Sequence, residues 1–222
     1  MNKCSFLNHS IIANMGIYNN ITIMENTIES IMYAVKNNLS VKIDVRVTKD
    51  NELIVFHDED ACRLIKLKDK INSLTYEELN YISNYHIPTL KEVLNSINSK
   101  VPVVIEVKDD NKIIRTNLIN VLNGYKGDFV VLSKDYSTIR FYKKNKYIVG
   151  LVIDKNNKNL INKELRVEVL SIKYDLIDKL KAKELKSNYY LIGYTINTRE
   201  YANYYIKIFN NLIIDNIEEV FK

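Results

Sequence analysis

Four short patterns in this chain pair residue types that do chemistry together. Lys42-Ile43-Asp44 and Glu106-Val107-Lys108 each set an ammonium and a carboxylate two positions apart, and His57-Asp58 sets an imidazole beside a carboxylate. The fourth, Asn14-Met15-Gly16, places an amide before a glycine. Side chains two apart on a strand share a face, so an extended backbone aligns Lys42 with Asp44 and Glu106 with Lys108. Carboxylates hold hard cations, imidazole moves protons near neutral pH, and lysines hold anions.

The elements that must position these groups are legible in the hydrophobic pattern. Strand-like apolar runs fall at 10–13, 41–47, 53–56, 101–107, 129–132, 147–153, 167–172, 190–195 and 212–214. Most are nearly continuous in apolar residues, as strands of a parallel sheet buried on both faces should be. Between them lie helical periods, such as Ile28, Ile31, Met32 and Val35, or Leu90, Val93, Leu94 and Ile97. Thr75 with Glu78 and Thr89 with Glu92 read as capping boxes, and Asn26 or Thr27 can cap the first helix. The Lys49-Asp50-Asn51 turn is too short for a crossover and predicts a local hairpin of 41–47 with 53–56. Alternation of this kind predicts a lean α/β (β/α)₈ TIM-type barrel, a single domain over residues 1–222. An open doubly wound sheet is the competitor, but the chain has no phosphate-binding Gly-rich fingerprint. In such a barrel the reactive groups sit at the C-terminal ends of strands, where the four patterns fall.

Composition narrows the setting. The chain has 222 residues, 46% hydrophobic and 27% charged, which excludes intrinsic disorder, and with five Gly and two Pro it offers no interdomain linker. Two cysteines, Cys4 and Cys62, make neither a disulfide framework nor a Cys-ligated zinc site. No window reaches the roughly 18 apolar residues of a membrane span, and the expectation is a cytoplasmic protein. The net charge of +5 invites a nucleic-acid reading, but the lysines are dispersed and the densest run, 143–146, reads as a solvated helix end. No nucleic-acid partner is expected.

The ordered set of patterns resembles the glycerophosphodiester phosphodiesterase family, along nearly the whole chain. That family opens with His-Arg-Gly after a strand, followed by Glu-Asn-Thr at a helix start; here stand Asn14-Met15-Gly16 and Glu25-Asn26-Thr27. Its Glu-x-Asp-Val, Thr-Lys-Asp-Gly turn and His-Asp become Lys42-Ile43-Asp44-Val45, Thr48-Lys49-Asp50-Asn51 and His57-Asp58. Pro88-Thr89-Leu90 and Glu106-Val107-Lys108 match its Pro-Thr-Leu and Glu-x-Lys. Ser133, Tyr194-Thr195-Ile196-Asn197 and Ile214-Asp215 are weaker echoes.

The resemblance implies a phospholipase C-like barrel that hydrolyses glycerophosphodiesters to an alcohol and glycerol 3-phosphate with a divalent cation, Mg²⁺ or Ca²⁺, and two histidines. By position it makes Asp44 and Glu106 metal ligands, with Glu25 near them, His57 an acid/base and Lys108 a phosphate contact. The departures are equally specific. Asn14 replaces the first histidine, Met15 the phosphate-binding arginine and Lys42 the first metal-ligand glutamate. The family's Glu, Asp, Glu and Lys carry a net charge of −2, whereas Lys42, Asp44, Glu106 and Lys108 carry none, which leaves a cation weakly held or lost. Three readings stand open: a barrel that binds a phosphate-bearing small ligand without the metal reaction, a rewired phosphodiesterase using His57 and Lys42, or a structural protein with buried ion pairs.

Overall fold

The computed structural model describes residues 3–221. Nine strands form: β1 (Ile12–Asn14), β2 (Ser40–Val47), β3 (Leu53–Val55), β4 (Val103–Val107), β5 (Phe129–Ser133), β6 (Val149–Ile153), β7 (Val169–Lys173), β8 (Tyr190–Ile196) and β9 (Asn211–Ile214). Eight of them run parallel in the order β1-β9-β8-β7-β6-β5-β4-β2, and β1 pairs again with β2 to close a barrel. β3 stands outside the wall, antiparallel to β2, as the short turn requires. The register sets Asn14 beside Lys42 and Asp44 beside Glu106.

Nine helices are described: α1 (Ile28–Lys36), α2 (Cys62–Ile65), α3 (Tyr76–Ile82), α4 (Leu90–Ile97), α5 (Lys112–Asn123), α6 (Tyr136–Lys144), α7 (Lys179–Leu185), α8 (Arg199–Tyr205) and α9 (Ile217–Phe221). Thr27, Thr75 and Thr89 cap α1, α3 and α4 in reciprocal capping boxes, and in α1 the returning group is the Ser30 hydroxyl. The crossover from β6 to β7 departs from the expected alternation. Its Lys/Asn-rich sequence has no apolar period, and it forms only a 3₁₀ turn at Lys158–Asn162.

Two apolar layers hold the barrel. Ile43, Val45, Ile105, Val131 and Leu151 face outward beneath the helices, with Ile31, Leu90, Val93 and Leu118 packed against them. Ile12, Val104, Val130, Leu132, Val152, Val169, Ile192 and Ile213 belong to a second cluster, in the lumen. A 3₁₀ turn at Ser5–Asn8 closes the bottom, where Asn211 Nδ2 donates to the Leu7 carbonyl at 2.6 Å and the Tyr190 hydroxyl to Asn8 Oδ1 at 2.7 Å. Between β3 and α4 the chain makes an excursion with its own small core of Phe56, Ala61, Ile71, Leu79 and Ile87. That excursion carries α2 to the mouth.

Candidate functional site

The strand periodicity turns Lys42, Asp44, Glu106 and Lys108 into one cluster at the C-terminal end of the lumen. Lys42 Nζ lies 2.5 Å from Asp44 Oδ1 and 2.9 Å from Glu106 Oε2. Lys108 Nζ lies 2.7 Å from Glu106 Oε1 and 3.0 Å from Asp44 Oδ1. The four side chains thus close a ring of alternating charge. It is buried: Asp44 is fully covered, and the most open member, Lys108, has 14% of its side chain exposed. Asn26, at φ +57°, secures the ring from the α1 side, its Nδ2 donating to Asp44 Oδ2 at 3.2 Å.

The ring fixes its own ionisation. Burial by itself raises the Asp44 carboxyl, but Lys42 and Lys108 hold it far below the usual carboxylate range. Glu106 follows the same pattern, held down by Lys42 and Lys108 against its burial. Burial lowers the Lys42 ammonium, but Asp44 and Glu106 overcome it and push Lys42 above the normal lysine range. The formal charges of the four side chains sum to zero.

A divalent cation does not fit this donor set. Every oxygen of Asp44 and Glu106 already accepts from an ammonium or an amide. A cation placed between the two carboxylates would meet two ammoniums at hydrogen-bonding range of the same oxygens. Among the described residues no group of three or more His, Cys, Asp or Glu side chains could hold a metal. Glu25 is engaged elsewhere. Arg63 of α2 grips it with two bonds, at 2.5 and 2.8 Å, and Asn20 Nδ2 donates to it at 2.7 Å.

Arg63 also joins the loops at the mouth. Its Nε donates to Asp58 Oδ2 at 2.6 Å, and Asp58 Oδ1 holds His57 Nδ1 at 2.7 Å. Glu25, Arg63 and Asp58 therefore form a chain of alternating charge that ends on His57 Nδ1, and His57 lines the cavity. Burial raises and Arg63 lowers the Asp58 carboxyl, with the net effect downward.

Asn14 is the last residue of β1 rather than the start of the following loop. Its Nδ2 donates to Asp215 Oδ1 at 2.5 Å, and its Oδ1 is buried with no partner among the described residues. Burial raises the Asp215 carboxyl, which meets neutral donors at Asn14 and Tyr18. Met15 is buried, at φ +57°, with its carbonyl taking bonds from the Asn26 amide and the Ser30 hydroxyl. Gly16 follows at φ +85°, and a Cβ there would stand 2.4 Å from the Ser30 carbonyl carbon, so the motif's glycine is required by the close approach of α1.

A cavity of about 120 Å³ opens above the ring, lined by Asn14, Lys42, His57, Glu106 and Lys108 from the sequence reading. Lys134, Ser171, Tyr194 and Thr195 complete its polar lining. Lys134 escaped the sequence reading, although it directly follows β5, the position where a barrel places functional groups. Arg63 had no sequence signal, since its partners lie 38 and five positions away on different loops. His9 and His86 lie outside this cavity, on surface contacts with Asn38 and Glu92.

Known proteins of the same architecture give this arrangement its relatives. The model of the glycerophosphoryl diester phosphodiesterase family matches residues 16–218. A glycerophosphodiester phosphodiesterase of Caldanaerobacter subterraneus subsp. tengcongensis is 26% identical over 212 residues, covering 86% of each chain. One from Bacillus altitudinis is 31% identical over 102 residues, which is 41% of this chain. The chain spans about two fifths of that relative and of another from Bacillus subtilis. Among solved structures, the enzyme of that name from Thermotoga maritima superposes with a TM-score of 0.81 at 25% identity, covering 95% of this chain and 96% of that one. A phosphodiesterase from Oleispira antarctica, described in complex with the product sn-glycerol-3-phosphate, has a TM-score of 0.79 at 19% identity, covering 95% of this chain and 94% of that one. With its barrel, its ordered motifs and a match over most of its length, the chain belongs to the glycerophosphoryl diester phosphodiesterase family.

Proposed function

We propose that this family member, a single domain over residues 1–222, binds a small phosphate-bearing ligand at the barrel mouth without a metal and without the metal-dependent hydrolysis. The observation that carries the reading is the neutral ring of Lys42, Asp44, Glu106 and Lys108. In metal-assisted phosphoryl chemistry a cation neutralises charge on the phosphate. In this reading the two ammoniums supply positive charge at that place and Asp44 and Glu106 hold them there. Three lysines and one carboxylate line the cavity, so its face favours an anion. Its volume, about 120 Å³, is well under the roughly 300 Å³ of a drug-sized site. It encloses a phosphoryl group and leaves the rest of the ligand outside. No disulfide forms among the described residues, which suits the reducing cytoplasm, where we place the protein.

One observation favours a second reading, a slow metal-independent phosphodiesterase: His57 lines the cavity with Nδ1 fixed by Asp58, as a general acid or base requires. The opposing position offers only Asn14, which cannot exchange a proton near neutral pH.

The test is hydrolysis of glycerophosphodiesters by purified protein with and without Mg²⁺, Ca²⁺ or Mn²⁺, beside His57→Ala, together with thermal unfolding in inorganic phosphate. The proposal expects no turnover above the variant and a melting temperature that rises with phosphate. Turnover that disappears in His57→Ala establishes the second reading. A melting temperature indifferent to phosphate, with no turnover, leaves a structural protein.

A further inference from the structure

Hydrogen-bond counting at the same cavity points to the form of the phosphate. Each ammonium has three donors. Lys42 and Lys108 each spend two on Asp44 and Glu106, so each retains one. Lys134 spends one on Asp154, at 2.7 Å, and retains two. Ser171, buried to 1% exposure, and Thr195 also line the cavity, and their hydroxyls have no partner among the described residues. Glu106 is the one carboxylate in the lining, and both of its oxygens are already taken by lysines. The cavity therefore holds four ammonium donors beyond those spent on Asp44, Glu106 and Asp154, together with two hydroxyls.

We infer that the cavity takes a terminal phosphate, as a phosphomonoester or the inorganic dianion, in preference to a phosphodiester. The inference rests on the phosphate-binding reading above and narrows its ligand class. A phosphomonoester presents three terminal oxygens and close to two negative charges. Three oxygens accepting two bonds each match six donors, and the more highly charged dianion makes the stronger charge-assisted bonds to the ammoniums. A diester presents two such oxygens and one charge. It would leave ammonium donors unmet in a buried place and would need room for a second ester arm. The enclosed volume, with Val152 and Ile213 among its walls, suits a single arm leaving through the mouth.

Isothermal titration at pH 8 with a matched pair tests this: sn-glycerol 3-phosphate and its methyl ester, which differ by one methyl group and one charge, with inorganic phosphate alongside. The monoester is expected to bind about tenfold or more tightly than the methyl ester, the scale of one or two charge-assisted hydrogen bonds. Lys134→Met, at a side chain 57% exposed and away from the ring, is expected to leave both ligands bound and cut the preference to about threefold or less. Equal or tighter binding of the methyl ester, or a preference unchanged in Lys134→Met, overturns the inference while phosphate binding stands. Failure of all three ligands to bind overturns the phosphate-binding reading itself.

Discussion

Lys42→Glu should turn this ring back into a cation site. The substitution removes the ammonium that touches Asp44 at 2.5 Å and Glu106 at 2.9 Å and adds a third carboxylate. The cluster passes from neutral to three carboxylates against Lys108 alone, a net charge of −2. Breaking a buried ion pair from one side costs about 3–5 kcal/mol, and reversing the charge places the variant at the upper end or beyond. A divalent cation would neutralise the new set, and binding to the folded state alone stabilises it by about 2.7 kcal/mol at a concentration one hundred times the dissociation constant. Thermal unfolding with EDTA and with 5 mM Mg²⁺, Ca²⁺ or Mn²⁺ reads both effects. The expected pattern is a wild type indifferent to metal and a variant that melts far lower in EDTA and recovers several degrees with a cation. A wild type stabilised by metal would refute the argument that two ammoniums exclude it. A variant that folds well in EDTA and ignores metal would refute the claim that ring charge controls the site.

Two further outcomes follow from the mouth and from the ring's ionisation. Arg63→Met leaves the buried Glu25 without its two-bond partner and should cost about 1–3 kcal/mol in urea unfolding, with Arg63→Lys recovering part of it because a lysine cannot reproduce the fork. Asp44 and Glu106 have depressed folded-state pKa values, so the unfolded chain binds more protons in acid. Their contribution to stability is complete above the unfolded carboxylate range and falls progressively as pH drops below about 4 toward their depressed folded-state values. Urea titrations from pH 7 to pH 3 should show that loss in the wild type and a smaller one in a double variant, Asp44→Asn with Lys108→Met.

The barrel was legible because its two signals are local. Nearly continuous apolar runs such as 129–132 and 149–153 suit strands buried on both faces, as in a parallel sheet, and Thr75 and Thr89 mark helix starts through bonds to residues three positions on. The 154–168 crossover broke the alternation because its few apolar residues, Leu160, Ile161, Leu165 and Val167, fall in a Lys/Asn-rich stretch too sparse in apolar positions for a sustained helical face. Within the site, strand periodicity fixes Lys42 beside Asp44 and Glu106 beside Lys108 on shared faces. What the sequence cannot state is the inter-strand register that brings Asp44 opposite Glu106 and so closes two pairs into one ring. Arg63 was out of reach for the same reason on a larger scale. Its two carboxylates come from loops that only the folded excursion brings together.

In the proposed reading, the identity of residue 42 separates accommodation from simple decay. With the cation gone, a set of Glu, Asp, Glu and Lys retains −2 in a fully buried place, and most replacements of the first glutamate do not repair it. Alanine, methionine or glutamine there would leave −1 on Asp44 and Glu106 against Lys108 alone. Only a basic residue brings the cluster to zero, and the long unbranched lysine stem lets Nζ reach Asp44 on its own strand and Glu106 on the next. In that reading, Met15 at the place of the family's arginine fits the same accounting, because Lys42 and Lys108 supply two cations to the cavity face. A decayed site would be expected to collect neutral or apolar side chains and unpaired charges. This one has each carboxylate oxygen of the ring partnered and three lysines lining one small cavity, which is the arrangement the proposed anion site requires.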